Sequence, residues 1–550
     1  MGVPPFDRAE MLLRLADEQF DVLVVGGGIT GTGVALDAAS RGLRTALVER
    51  ADFASGTSSK SSKLVHGGIR YLQQREVGLV YENLHERQLA LRNAPHLVRV
   101  LPFLIPILSR DGLIDRRIAR ALGLAMWMYD FTGGIRIRKM HKRIDRDEAL
   151  AHMPTLRRDN VSAAYLYYDA QTDDARLTLC IARTAATQGA AVANRAAVTK
   201  LHKDAAGRVR GATISADGQD VDVRARVVVN ACGVWSDDVR ALDEGRHPAS
   251  IRPAKGVHIT VPWAKVRNDI AAIVPVPKDR RSVFVVPWGD FTYVGTTDTD
   301  YDGPLDDPQC DPSDVAYLLR ALNHAIAEPV TEADVVGTWA GLRPLLRTAR
   351  SERTADLSRR HDVLVSDSGV VTINGGKLTT YRRMAADTVD RVQRVLGVRR
   401  TRCRTKQLLL LGADGFEDPP DTNEPSVHDH LAGRYGTEAD TVLALVRDDP
   451  SLGDRLVPGL PYLRAEAVHA VRHEMARTLD DVLSRRTRAR LLARDASVAA
   501  ADSVAELIAP DLGWDETRVT REVEGYRASA AAERDAAGLP DAALDASLGA

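Results

Sequence analysis

Three glycines near the N-terminus have the spacing of a phosphate cradle. Gly26-x-Gly28-x-x-Gly31 follows the apolar run Phe20-Asp21-Val22-Leu23-Val24-Val25 and opens a helix-like stretch at residues 32–41. In that setting the first glycine allows a tight turn, the second lets backbone approach a pyrophosphate, and the third lets helix pack on strand. The helix N-terminus adds free N–H groups and the positive end of a dipole. Glu49 ends the next apolar run, Thr45-Ala46-Leu47-Val48. A carboxylate there can accept from ribose hydroxyls and would repel a 2′-phosphate. These features predict a bound dinucleotide without deciding between a flavin and a nicotinamide. The following stretch, ASGTSSKSSKLVHGGIRYL at residues 54–72, is dense in Ser, Thr, Gly and Lys. Hydroxyls such as those of Thr57, Ser58 and Ser62, with backbone N–H groups, suit a loop that wraps a phosphate and a ribityl chain.

Positioning these groups takes a βαβ unit, and residues 20–49 supply one in about thirty residues. Further strand signals lie far downstream. Arg226-Val227-Val228-Val229-Asn230-Ala231 is one. Gly369-Val370-Val371-Thr372-Ile373 is another, and it precedes Asn374-Gly375-Gly376-Lys377 and a second helix. The cofactor domain is therefore expected to be discontinuous, over 15–100, 170–245 and 340–400. A substrate domain is expected over 101–169 and 246–339, where alternating patterns at 282–287 and 291–296 predict antiparallel strands. Residues 411–425 are rich in Gly, Asp and Pro and read as a linker. Beyond them a helical period predicts an all-α C-terminal domain within 401–550, frayed or disordered from Ala528 onward. The predicted fold class is α/β, a Rossmann-like dinucleotide domain interleaved with an antiparallel-sheet domain, plus an all-α domain.

With 550 residues and a net charge of −1, nothing global favours nucleic acid or an anionic membrane. An anionic substrate must then be held by a local cluster of positive charge. Cys180, Cys232, Cys310 and Cys403 are scattered, without metal-ligand spacing. They read as reduced thiols of a cytoplasmic protein, with no metal site. No stretch approaches the ~20 apolar residues of a membrane span, and the first twenty residues do not read as a signal peptide. Residues 114–129 set Arg116, Arg117 and Arg120 beside Leu122, Leu124, Met126, Trp127 and Met128. That pattern fits either an ordinary buried helix or a segment lying in a lipid interface with access to quinone.

The run SSKLVHGGIRYL resembles the signature of FAD-dependent glycerol-3-phosphate dehydrogenases. Other strings follow in that family's order: Val229-Asn230-Ala231-Cys232-Gly233-Val234-Trp235, Lys255-Gly256-Val257-His258, Gly295-Thr296-Thr297-Asp298-Thr299 and Gly341-Leu342-Arg343-Pro344-Leu345. Ser358-Arg359-Arg360-His361, Gly375-Gly376-Lys377-Leu378-Thr379-Thr380-Tyr381-Arg382 and Asp481-Val482-Leu483-Ser484-Arg485-Arg486-Thr487-Arg488 complete the series. Cys232 stands where Thr or Ala is more usual. The resemblance covers residues 20–526 or thereabouts. It implies FAD as cofactor, held by Gly26, Gly28, Gly31, Glu49, Thr57, Ser58, Ser62, His66, Gly233, Gly376 and Leu378.

It also implies oxidation of glycerol 3-phosphate by hydride transfer, with a quinone-type electron acceptor. A position on the inner face of the plasma membrane and a homodimer are left open. The implied substrate residues are Arg70, Tyr71, Arg343, Arg359 and Lys377. Arg supplies a fork for phosphate, and Lys a point charge. Arg343, between Gly341 and Pro344, reads as part of a rigid turn. Lys377 opens a helix whose N-terminus can face a reduced flavin's negative charge. His258 is the candidate proton acceptor, expected to give a rate step near neutral pH. His66 is expected to orient the cofactor. The rival readings are an oxidase passing electrons to oxygen, an amine or hydroxy-acid oxidase of the same fold, and a flavin-binding sensor without turnover.

Overall fold

Val22, Leu23 and Val24 have no solvent exposure because their strand, Gln19–Val25, is covered on both sheet faces and paired on both edges. It runs parallel to Thr45–Val48 on one side and to Gln219–Asn230 on the other. Val371–Asn374 then adds in parallel to Gln219–Asn230, and Ala191–Ala193 to Thr45–Val48. Such fully buried parallel strands read as unbroken apolar runs, which is why all but the short Ala191–Ala193 were legible. The computed structural model describes residues 6–68, 76–108, 126–127, 129–130, 139–279, 281–347, 361–419 and 426–540.

The fingerprint helix, Ile29–Ser40, is buried along nearly its whole length between the helices Asp174–Thr187 and Tyr381–Leu396. Gly33 makes room for the latter: a Cβ there would stand 3.0 Å from the Tyr381 ring. Chain segments hundreds of residues apart thus assemble one layered α/β domain.

The second sheet has ten strands and is largely antiparallel. Towards one end of it the histidine strand, Ile251–Pro262, lies between Phe291–Gly295 and Gly337–Leu346. The hairpin Ser282–Trp288/Phe291–Gly295 forms where alternation predicted it. Gly337–Leu346, assigned on sequence to the cofactor domain from residue 340, pairs with the histidine strand along its whole length and is part of this sheet. The run 337–346 is apolar enough to suit either domain, and only the register assigns it.

The C-terminal region is helical, with its own apolar core from Leu456 to Tyr526. Of the stretch from Ala528 expected to fray, residues 528–540 are ordered, and 541–550 lie outside the described residues. The terminal helix runs Glu516–Ala536, and Ala537 and Leu539 bury themselves in the core beneath the second sheet. Glu533 anchors this end, accepting from Thr338 Oγ1 at 2.9 Å and from Arg490 Nε at 2.9 Å. Alanine-rich sequence hid this because alanine gives little periodic contrast. The first part of the expected linker is also fixed: Leu411 N–H donates to Thr184 Oγ1, and Thr437 N–H to Gly412 O.

Candidate active site

The glycine fingerprint closes on itself as its spacing requires. A Cβ on Gly31 would stand 1.8 Å from Gly26 O, so the helix can pack on the strand only if residue 31 has no side chain. Gly26 has φ +111°, and a Cβ there would press on Ala231 O at 2.7 Å. Gly28 caps the helix and is in contact range of Ser58, whose Oγ accepts from Ile29 N–H at 2.9 Å. The fingerprint and the hydroxyl loop are thus joined directly.

Glu49 sits at the end of its strand, buried, and both carboxylate oxygens are engaged by backbone. Oε2 accepts from Gly27 N–H at 2.6 Å and Oε1 from Ala51 N–H at 2.8 Å. Burial raises its pKa, and those two N–H groups pull the other way. The carboxylate therefore fixes the fingerprint turn. Each oxygen keeps a second lone pair, so acceptance from a ribose hydroxyl remains open to it.

The hydroxyl loop lies across the second sheet. Thr57 Oγ1 donates to Leu342 O at 2.6 Å, Trp339 Nε1 to Ser61 O at 3.1 Å, and Tyr293 OH to Ser62 O at 2.9 Å. Gly341 permits the contact, since a Cβ there would meet Lys60 O at 2.6 Å. Between loop, fingerprint and sheet runs a cleft of about 450 Å³. Gly26, Gly28, Glu49, Thr57, Ser58, Ser62, His66, Gly233, Gly376 and Leu378 all line it, as do His258, Arg343 and Lys377. Gly31 lies behind the wall, in the packing role just described. Arg70, Tyr71 and Arg359 lie outside the described residues, as does most of the basic segment 114–129. Of that segment, Met126 and Tyr129 are buried and Trp127 is half exposed.

His258 is almost fully buried. Its Nε2 is 2.9 Å from Ser62 Oγ, and its ring stacks on Trp339, centroids 4.7 Å apart and planes within 9°. Its Nδ1 is buried with no hydrogen-bond partner among the described residues. Burial, helped by the charges of Lys63 and Arg343, pushes its pKa well below the usual imidazole range. That direction favours the neutral imidazole at physiological pH.

Arg343 lies inside a strand rather than in a turn, and Pro344 continues that strand. Its guanidinium is oriented by Asp298 Oδ1 at 3.0 Å, Thr297 O at 3.1 Å and Thr296 Oγ1 at 3.2 Å. These bonds occupy much of the fork, so a phosphate must displace one of them to be held bidentately. Lys377 precedes a short 3₁₀ turn, Leu378–Thr380, which leads into the helix Tyr381–Leu396. Gly375 and Gly376, at φ +75° and +84°, turn the chain into the cleft there. Thr379 Oγ1 accepts from His66 N–H at 3.1 Å, tying this turn to the hydroxyl loop.

Sequence reasoning quoted the string 481–488 but gave it no role. In the fold its arginines reach the cofactor side. Arg486 forks onto Asp52 at 2.7 and 2.9 Å, and Arg485 Nε reaches the same carboxylate at 2.7 Å. Arg488 pairs with Asp173 at 3.0 Å and with Asp174. Asp173 caps the following helix, and that capping pattern was the only signal visible in sequence. Among the described residues no cluster of metal-binding side chains occurs, and no helix is long and apolar enough to cross a membrane.

The cradle fits a dinucleotide: glycines wherever a Cβ would fill it, a helix N-terminus, and hydroxyls along one wall. Comparisons with known proteins agree. Residues 21–382 match the family model of FAD dependent oxidoreductases, and residues 403–519 that of the C-terminal domain of alpha-glycerophosphate oxidase. Glycerol-3-phosphate dehydrogenase 2 of Mycobacterium tuberculosis is 43% identical over 98% of this chain and 92% of its own. The mitochondrial glycerol-3-phosphate dehydrogenase of Mesocricetus auratus is 38% identical over 95% of this chain and 74% of its own. The glycerol-3-phosphate dehydrogenase from Bacillus halodurans, solved in complex with FAD, superposes with a TM-score of 0.75 at 30% identity. That match covers 95% of this chain and 96% of the other.

Proposed function

Because the chain belongs to the FAD-dependent glycerol-3-phosphate dehydrogenases, we propose that it oxidises sn-glycerol 3-phosphate to dihydroxyacetone phosphate and passes the electrons to a quinone-type acceptor. The observation that carries this reading is a single cleft. It brings the dinucleotide cradle, a neutral buried histidine and two cations, Arg343 and Lys377, onto one surface.

Gly26, Gly28, Thr57, Ser58, Gly233, Gly376 and Leu378 would hold FAD. When bound, FAD supplies the acceptor for the hydride leaving C2 of the substrate. The chain's own residues do the rest. The hydroxyl proton needs a base, because the alcohol is far too weak an acid to lose it unaided. His258 is neutral and takes that role. Its Nε2 stands 2.9 Å from Ser62 Oγ and both residues line the cleft, so the Ser62 hydroxyl can take the substrate proton while passing its own to Nε2. Arg343 and Lys377 supply fixed positive charge for the phosphate dianion, and Arg343 also opposes charge on His258.

Anaerobic addition of glycerol 3-phosphate to the purified flavoprotein tests the reading. Stoichiometric bleaching of the flavin band is expected, with no bleaching by glycerol or by amino acids. A flavin that stays oxidised overturns the assignment. Reoxidation by a quinone dye, compared with peroxide production in air, separates the dehydrogenase from the oxidase.

A further inference from the structure

The indole of Trp339 stands beside both a histidine and a lysine. The His258 ring lies parallel to it at 4.7 Å, and the ammonium of Lys63 stands 4.7 Å from the same centroid. The indole itself is fixed. Its Nε1 is bonded to Ser61 O, and Tyr293 packs edge-on against it at 5.5 Å. Lys63 is buried with φ +56°, and its Nζ donates to Ser59 O and to Asp174 Oδ1, both at 3.0 Å. Asp174 is shared: it also takes Arg488 from the helical domain, together with the N–H and hydroxyl of Ser61. A carboxylate divided among these donors cannot quench Lys63 alone.

We propose that Lys63 and Trp339 are positioning residues for His258, and that the helical domain acts on the same ring through Arg488 and Asp174. This rests on the reading of His258 as proton acceptor. Trp339 fixes the plane of the imidazole and Ser62 its rotation, so one nitrogen is presented in one direction. Lys63 fixes its charge, because protonating His258 would set two cations against one indole. The groups facing His258 are Ser62 and Lys63 from the hydroxyl loop, Trp339 and Arg343 from one neighbouring strand, and Tyr293 from the other. The carboxylates near them, Asp174 and Asp298, are each bound to one of those cations. Burial lowers the pKa of Lys63 to about 8, so it is still mostly charged at neutral pH.

The experiment follows the His258 imidazole by NMR in ¹³C-histidine-labelled holoenzyme, with the signal assigned by its loss in His258→Ala. In Lys63→Met the titration of His258 should move up by about one pH unit or more, the size of a neighbouring charge's effect. In Lys63→Arg it should stay at the parent position. Trp339→Phe should slow flavin reduction about tenfold with KM within twofold, as lost orientation without lost binding. A His258 titration in Lys63→Met that coincides with the parent's overturns the proposal. If Lys63→Met does not yield a folded flavoprotein, Trp339→Phe decides alone, and reduction at the parent rate overturns it. The NMR signal reports protonation whether or not His258 is the base. Failure here is therefore distinct from failure of His258→Ala to slow the reaction.

Discussion

Replacing Arg486 by Met should loosen the hydroxyl loop from a distance. Arg486 and Asp52 are nearly free of solvent, and the guanidinium grips both carboxylate oxygens. Asp52 lies between Glu49 and the loop, and close by Ala54 N–H holds Gly27 O. Breaking a buried ion pair costs about 3–5 kcal/mol. Here Arg485 and Asn194 Nδ2, at 2.7 and 3.0 Å, still hold Asp52, so the lower end applies. A loss of about 3 kcal/mol raises local opening roughly 10²-fold. Hydrogen exchange of the holoenzyme over residues 51–62 reads that opening, and FAD dissociation should quicken with it. The pH dependence has a defined sign. Burial alone would raise the Asp52 carboxyl, but Arg486 and Arg485 overturn that and hold it well below the usual carboxylate range. The unfolded chain binds the proton first, so the clamp is at full strength above pH ~4 and weakens as pH falls towards the folded-state value. Exchange over 51–62 within threefold of the parent would refute the clamp.

His258→Ala should cut the flavin-reduction rate by roughly 10²-fold or more, the usual cost of a lost base, with FAD content unchanged. The parent rate should be flat from pH 6 to pH 8, and a step near pH 6.5 in stopped-flow data would show that burial does not depress this histidine. The same depressed pKa means the unfolded chain binds a proton that folded His258 refuses. The thermal stability of the parent should therefore fall faster than that of the variant below pH ~6.5, by up to ~1.4 kcal/mol per unit. Gly28→Val should purify colourless, because even a Cβ at 28 stands 3.1 Å from Ser58 Oγ; stoichiometric FAD in a folded variant would remove this glycine from the cradle. Arg343→Ala should raise KM by about tenfold or more, the scale of a charge-assisted bond, and Arg343→Lys should restore only part; steady-state kinetics equal to the parent's in the alanine variant would place the phosphate elsewhere.

The βαβ unit was legible because burial on two faces leaves Val22 to Val25 without polar residues, and because glycine alone fits at 26 and 31. The interleaving was legible as distant strand signals. Strand register was not: nothing in 337–346 says which sheet it joins until it lies beside 251–262. The chemistry of His258 was half legible. Residue type marks a candidate base, but its protonation state depends on Lys63 and Arg343, brought beside it only by the fold. The same holds for Arg343, whose proline neighbour suggested a turn while the pairing with 251–262 made a strand. Asp52 and Asp174 showed no signal beyond ordinary acids, since their arginine partners Arg486 and Arg488 lie more than 300 residues downstream.

The order of synthesis follows from the way the sheets are threaded. The strand that carries the fingerprint leaves the ribosome first, yet its sheet gains a late member only when residues 371–374 emerge. At 5–20 residues per second that interval is roughly 20–70 s. The core beneath the second sheet waits longer still, for Ala537 and Leu539 at the far end of the chain. Nascent chains therefore carry unfinished apolar edges throughout that interval. A domain that could fold as it appears would be spared this, and chaperone demand should follow the chain's threading rather than its final stability.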